Sequence, residues 1–138
     1  MGKSYPNVRS VLAMATEQTA DQVGTPFLAL SSLPDQGDGQ DQDYQLLILT
    51  TLNAAGVTSP TLDVRIEASM DGTTWFTLVS ATQRTVNGNY LERIAFAPPY
   101  RFRAKTVVGG AGGTKGHTVN VWLESTGPFE LRASPTGP

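Results

Sequence analysis

The sequence predicts an all-β protein, an antiparallel β-sandwich of about eight strands with jelly-roll or related topology and an extended N-terminal arm. Three observations lead there. Leu62, Val64, Ile66 and Ala68 alternate with Asp63, Arg65, Glu67 and Ser69, the period of a strand with one buried and one wet face. Turn residues such as Asp71-Gly72 and Asn87-Gly88 recur roughly every 8–12 residues, the spacing of short strands in a sandwich. Helical signal is confined to Val8–Ala15, about two turns, which is marginal without a docking surface.

In chain order, residues 1–24 read as the arm, with a short helix starting near Ser10 and Val8, Val11, Leu12 and Met14 as its apolar contacts. Residues 25–132 read as the sandwich and 133–138 as a flexible Pro/Gly tail. Phe27, Leu28 and Leu30 follow Pro26 in a first strand, where proline is tolerated. The polar run Pro34–Asp43 reads as a solvated loop. Its acids resemble a calcium loop, but counting from Asp35 the sixth place is Gln40 and the twelfth is Leu46, where Gly and Glu are required. Leu46-Leu47-Ile48-Leu49 is apolar on both faces, so this strand predicts a covered outer face as well as a core face. Asp71-Gly72 predicts a tight hairpin into Trp75–Val79, and Asn87-Gly88 a second hairpin into Tyr90–Phe96, which Pro98-Pro99 ends. Phe102, Ala104, Thr106 and Val108 share one face, and Arg101, Arg103 and Lys105 the other. Gly109–Gly116 reads as a flexible connection into the strand His117–Leu123.

Composition narrows the function. A chain of 138 residues is one domain with a real core. The formal net charge of −2 gives no support to nucleic-acid binding by phosphate neutralisation. With 0 cysteines there is neither a disulfide nor a thiolate ligand or nucleophile. No apolar run approaches the roughly 20 residues that cross a bilayer. The chain opens without a basic region and apolar core, so no secretory signal is expected, and release by lysis or within a particle is.

Reactive chemistry finds no constellation. His117 is the single histidine and has no GxSxG serine or cysteine to activate, so it reads as a surface or core residue. Lys115 follows Thr114 and precedes a strand, against the GxxxxGK[ST]-to-helix order of a phosphate loop. Scattered acids and one histidine make no metal site at fixed spacing. The sequence therefore predicts no catalytic residue, cofactor or metal.

Binding residues are easier to nominate. Trp122 falls on the polar side of its strand with Thr118, Asn120 and Glu124, where an aromatic serves as an anchor. Val11, Leu12, Leu47 and Leu49 offer apolar contacts, and Arg101 and Arg103 polar docking. The run Ser69-Met70-Asp71-Gly72-Thr73-Thr74-Trp75, followed by Tyr100-Arg101-Phe102-Arg103, resembles a pattern of the discoidin-like, galactose-binding β-sandwich group and of small tailed-phage virion proteins. It covers about half the chain, and in that pattern the Asp-Gly turn and the Trp are structural. The resemblance, together with polar termini, implies a non-enzymatic virion protein of capsid decoration (cement) type on the capsid surface. Its expected partners are the major capsid protein or other virion proteins, with neither nucleic acid nor membrane. The two-sided apolar strand adds the expectation of a homo-oligomer such as a trimer. The alternatives are a carbohydrate-binding module that stacks sugars on Trp122 or Tyr90, and a tail or baseplate component.

Overall fold

The computed structural model describes residues 7–31, 42–99 and 101–133. Among them are ten strands and no helix: β1 (Asn7–Ala13), β2 (Gln22–Val23), β3 (Phe27–Ser31), β4 (Tyr44–Ala55), β5 (Thr58–Ala68), β6 (Phe76–Ser80), β7 (Gly88–Phe96), β8 (Phe102–Ala111), β9 (Thr114–Ser125) and β10 (Phe129–Ala133). They form two antiparallel sheets, β1-β9-β4-β7 and β10-β3-β8-β5-β6, with β2 also pairing with β8. Leaving aside β2 and β10, the strands follow jelly-roll order, the chain changing layer at every step except from β5 to β6.

Alternation in the sequence becomes the core. Leu46, Ile48 and Leu52 of β4 and Val119, Val121 and Leu123 of β9 face Leu62, Val64 and Ile66 of β5 and Phe102 and Ala104 of β8. All are buried, as the period of two requires once each sheet covers the other. Phe96 and Phe102 meet edge to face between the layers, with centroids 5.4 Å apart.

Several local expectations give way to tertiary pairing. The segment expected as a helix is strand β1, because the edge of β9 satisfies its backbone from Asn7 to Ala13 and a two-turn helix cannot compete. Residues 7–24, expected as an arm outside the sandwich, lie in it through β1 and β2. Asn87-Gly88 does not close a hairpin, since β6 and β7 belong to different sheets. Instead the Asn87 amide accepts from the Ala54 N–H and donates to its carbonyl, both at 2.8 Å. The Asp35 loop lies outside the described residues except for its last two positions, Gln42 and Asp43.

The glycine run is not a loose link either. β4 passes into β5 and β8 into β9 at one corner, where Ala55 pairs with Thr114 and Thr58 with Ala111. Gly113 there has φ +61°, and a Cβ on it would collide with the Ala55 carbonyl oxygen and the Gly56 backbone. The glycines allow two backbones to cross in contact. Gly113→Ala is therefore expected to cost about 1–3 kcal/mol, from left-handed strain plus the clash, read as a lower urea midpoint at unchanged slope.

Candidate functional site

The outer face of the β1-β9-β4-β7 sheet is built by the residues that alternate with the core. Trp122 lies opposite Leu47 across β9 and β4, and Leu47 opposite Arg93 across β4 and β7. One row along, Leu49 lies between Asn120 and Leu91. At the β1 edge, Ser10 lies opposite Trp122 and Val8 opposite Glu124. Val8 is 41% exposed, Leu49 38% and Leu91 61%, while Leu47 and Trp122 are half-buried. Three of the nominated residues, Leu47, Leu49 and Trp122, are thus brought together. Sequence reasoning named Val8 only as an apolar contact of a helical arm, and it missed Leu91. Leu91 was legible as the apolar residue out of phase with Ile94 and Phe96.

Polar groups border this apolar stretch and are already paired. Glu124 accepts from Gln45 Nε2 at 2.7 Å and from Arg93 at 3.0 Å. On the other side, the Thr51 hydroxyl donates to Asn89 at 2.7 Å. An apolar centre inside a polar rim is the anatomy of a protein-docking surface.

Four nominated residues are employed elsewhere. Val11 is 3% exposed on the core side of β1, two residues after Arg9, which pairs with Leu123, and the register shift between Ser10 and Leu12 brings Leu12 to that core as well. Both serve the sandwich itself. Arg101 is buried, and its carbonyl accepts the Ser69 N–H at 3.0 Å. Arg103 binds Glu67 at 2.9 Å and holds its guanidinium 4.0 Å from the centroid of the Trp75 ring. The cationic row expected for docking therefore anchors the β5–β6 connection.

That connection explains the motif. Ser69–Trp75 is a seven-residue loop between β5 and β6 rather than a two-residue turn. Asp71 Oδ1 accepts the Thr73 and Thr74 N–H groups, both at 2.8 Å, and the Ser69 hydroxyl at 3.1 Å. The Gly72 N–H donates to Ser69 Oγ at 2.8 Å. Ser69, Asp71, Gly72, Trp75, Arg101 and Arg103 form one staple. Trp75 covers Arg103 from outside and does not enter the core.

His117 is wholly buried between the layers. Its Nδ1 lies 3.2 Å from the Lys115 carbonyl, an oxygen that only accepts, so Nδ1 carries the proton. Nε2 then accepts from the Thr106 hydroxyl at 3.2 Å, and that hydroxyl accepts from the Gln22 N–H at 3.1 Å. It is a satisfied core residue. Tyr90 donates to the Val86 carbonyl and lies under the Arg84 guanidinium at 4.4 Å, so one ring face is already used. Among the described residues, no group of three or more His, Asp or Glu side chains is placed to hold a metal ion. No family model, curated protein or solved structure matches the chain.

Two outcomes follow. Backbone donors hold the Asp71 carboxyl well below the ordinary aspartate value of 3.8. Its stabilisation is present above that value and is lost as pH falls below it, so the melting-temperature gap between wild type and Asp71→Ala is constant near neutrality and closes in acid. His117→Ala leaves a cavity and an unpaired Thr106 hydroxyl, and is expected to cost about 2–5 kcal/mol in urea unfolding.

Proposed function

We propose that the chain is a non-enzymatic structural protein of a tailed-phage virion. In this reading it is a capsid decoration (cement) protein, made in the host cytoplasm, that docks on the assembled shell. The observation that carries the reading is the row Trp122, Leu47, Leu49 and Leu91 on the open face of the four-stranded sheet, bounded by paired polar groups. A rigid sheet cannot fold such a row away, so covering it falls to a partner. The sequence resemblance supplies the virion context.

The mechanism is mechanical. Covering the face with about 800 Å² per partner is enough for a standard interface, and many copies on a symmetric shell add avidity. Trp122 and Leu47 sit at its centre, where anchor residues carry most of the energy. The polar rim sets orientation without adding unpaired charge.

Co-sedimentation with shells that lack the protein tests this. Leu49→Lys puts a charge into the apolar row at an exposed position and is expected to weaken attachment by at least about tenfold, as is Trp122→Ala. Attachment unchanged by both variants overturns the reading. Saturable binding on a glycan array that is lost in Trp122→Ala replaces it with a carbohydrate-binding module.

A further inference from the structure

The outer side of the β10-β3-β8-β5-β6 sheet carries a charge pattern that its own ion pairs leave unresolved. Arg65 of β5 lies directly opposite Lys105 of β8. Both are half-buried, and like charges set opposite each other destabilise a ladder. The row continues to Ser80 of β6, opposite Arg65, and to Val23 of β2, opposite Lys105. Neither outer neighbour supplies a negative charge. Asp63 and Glu67 flank Arg65 along β5, but both are committed. Asp63 accepts from Gln83 Nε2 at 3.1 Å, and Glu67 holds Arg103 at 2.9 Å. Among the described residues, Arg65, Lys105 and Lys115 are the charged side chains that hold neither an ion pair, a hydrogen bond nor a ring contact. The first two are cross-strand neighbours, whereas Lys115 stands apart, opposite Ala54 in the other sheet.

We infer that Arg65, Lys105 and Ser80 form a binding site for a phosphate group. Residues paired in this way hold their Cβ atoms about 5 Å apart, so the two cationic heads can close on one anion. The ligand follows from the donors. The Arg65 fork, the Lys105 ammonium and the Ser80 hydroxyl offer donors from three neighbouring strands. A carboxylate answers them with two oxygens and one charge. A phosphate group brings three acceptor oxygens and close to two charges at neutral pH, which matches two cations and a hydroxyl. Its binding turns the repulsion between Arg65 and Lys105 into shared attraction. β5 and β8 are interior strands of the sheet, so the two cations are held in place before the ligand arrives. The face is open to water and Asp63 and Glu67 offset part of its field, so the affinity is on the order of 1 mM. A free phosphate ion and a phosphoryl ester on a small molecule offer the same chemistry. The inference does not rest on the shell reading, which uses the other sheet.

Titration of the isotope-labelled full chain with sodium phosphate tests it by amide chemical shifts, with ionic strength held constant by sodium chloride. Saturable shifts are expected at the amides around Arg65, Ser80 and Lys105. Arg65→Gln and Lys105→Gln are each expected to weaken binding by at least about tenfold, and the same spectra show that both variants remain folded. Lys115→Gln removes the same charge elsewhere and is expected to bind as wild type does. A parallel titration with glycerol phosphate separates the two sources. Tighter binding of the ester assigns the site to a phosphoryl group on a larger molecule, and equal or weaker binding assigns it to the free ion. Shifts that never saturate, shifts that persist unchanged in both Arg65→Gln and Lys105→Gln, or acetate binding as tightly as phosphate each overturn the inference.

Discussion

The structure depends on one bent ribbon. β4 pairs with β9 and β5 with β8 along nearly their whole lengths, and the two ladders join where β4 passes into β5 and β8 into β9. Folding that ribbon on itself faces the inner residues of four strands toward one another and makes the core in a single step. The remaining strands add to its margins, β1 and β7 on one layer, and β2, β3, β10 and β6 on the other. The corner works only because Gly113 and its neighbours let backbones touch.

The two layers meet solvent differently. On the β5–β8 layer, outward charges other than Arg65 and Lys105 are spent internally: Arg103 on Glu67 and Trp75, and Asp63 on the Gln83 amide. These bonds hold the Ser69–Trp75 loop and the strand ends in register. On the β4–β9 layer, the charged pair Arg93–Glu124 stands at the border and the middle is apolar. A face that satisfies nearly all its own polar groups has little left to offer a protein partner. A face that leaves Trp122, Leu47 and Leu49 to water gains by being covered. The functional reading follows from that asymmetry.

Legibility tracked how local each signal was. The outward direction of Trp122 followed from counting by two from its apolar neighbours in β9, whereas Leu46–Leu49, apolar on both faces, left open whether Leu47 and Leu49 or their neighbours face outward. Val11 and Leu12 were misplaced because their segment was read as a helical arm, whereas as part of β1 both meet the core. Arg103 was placed correctly beside Lys105 on the side of β8 away from Phe102 and Ala104, while Arg101 precedes β8 and is buried, and the employment of both depends on Glu67, Ser69 and Trp75, which arrive only when β5 lies alongside. Val8 was named as an apolar contact of the arm, but a helical reading of its segment hid the strand that sets it beside Glu124.

By itself the sequence determined strand content, the inner and outer faces of the long strands and the absence of cysteine chemistry, because period-two patterning and composition are properties of the chain alone. Tertiary structure decided which strands are neighbours, and with that the conversion of a weak helix into β1, of a glycine run into a rigid corner and of a cationic row into a staple. The physical reason is the range of the forces involved: side-chain alternation acts over two residues, whereas ladder bonds and the Arg103–Glu67 pair join positions dozens of residues apart.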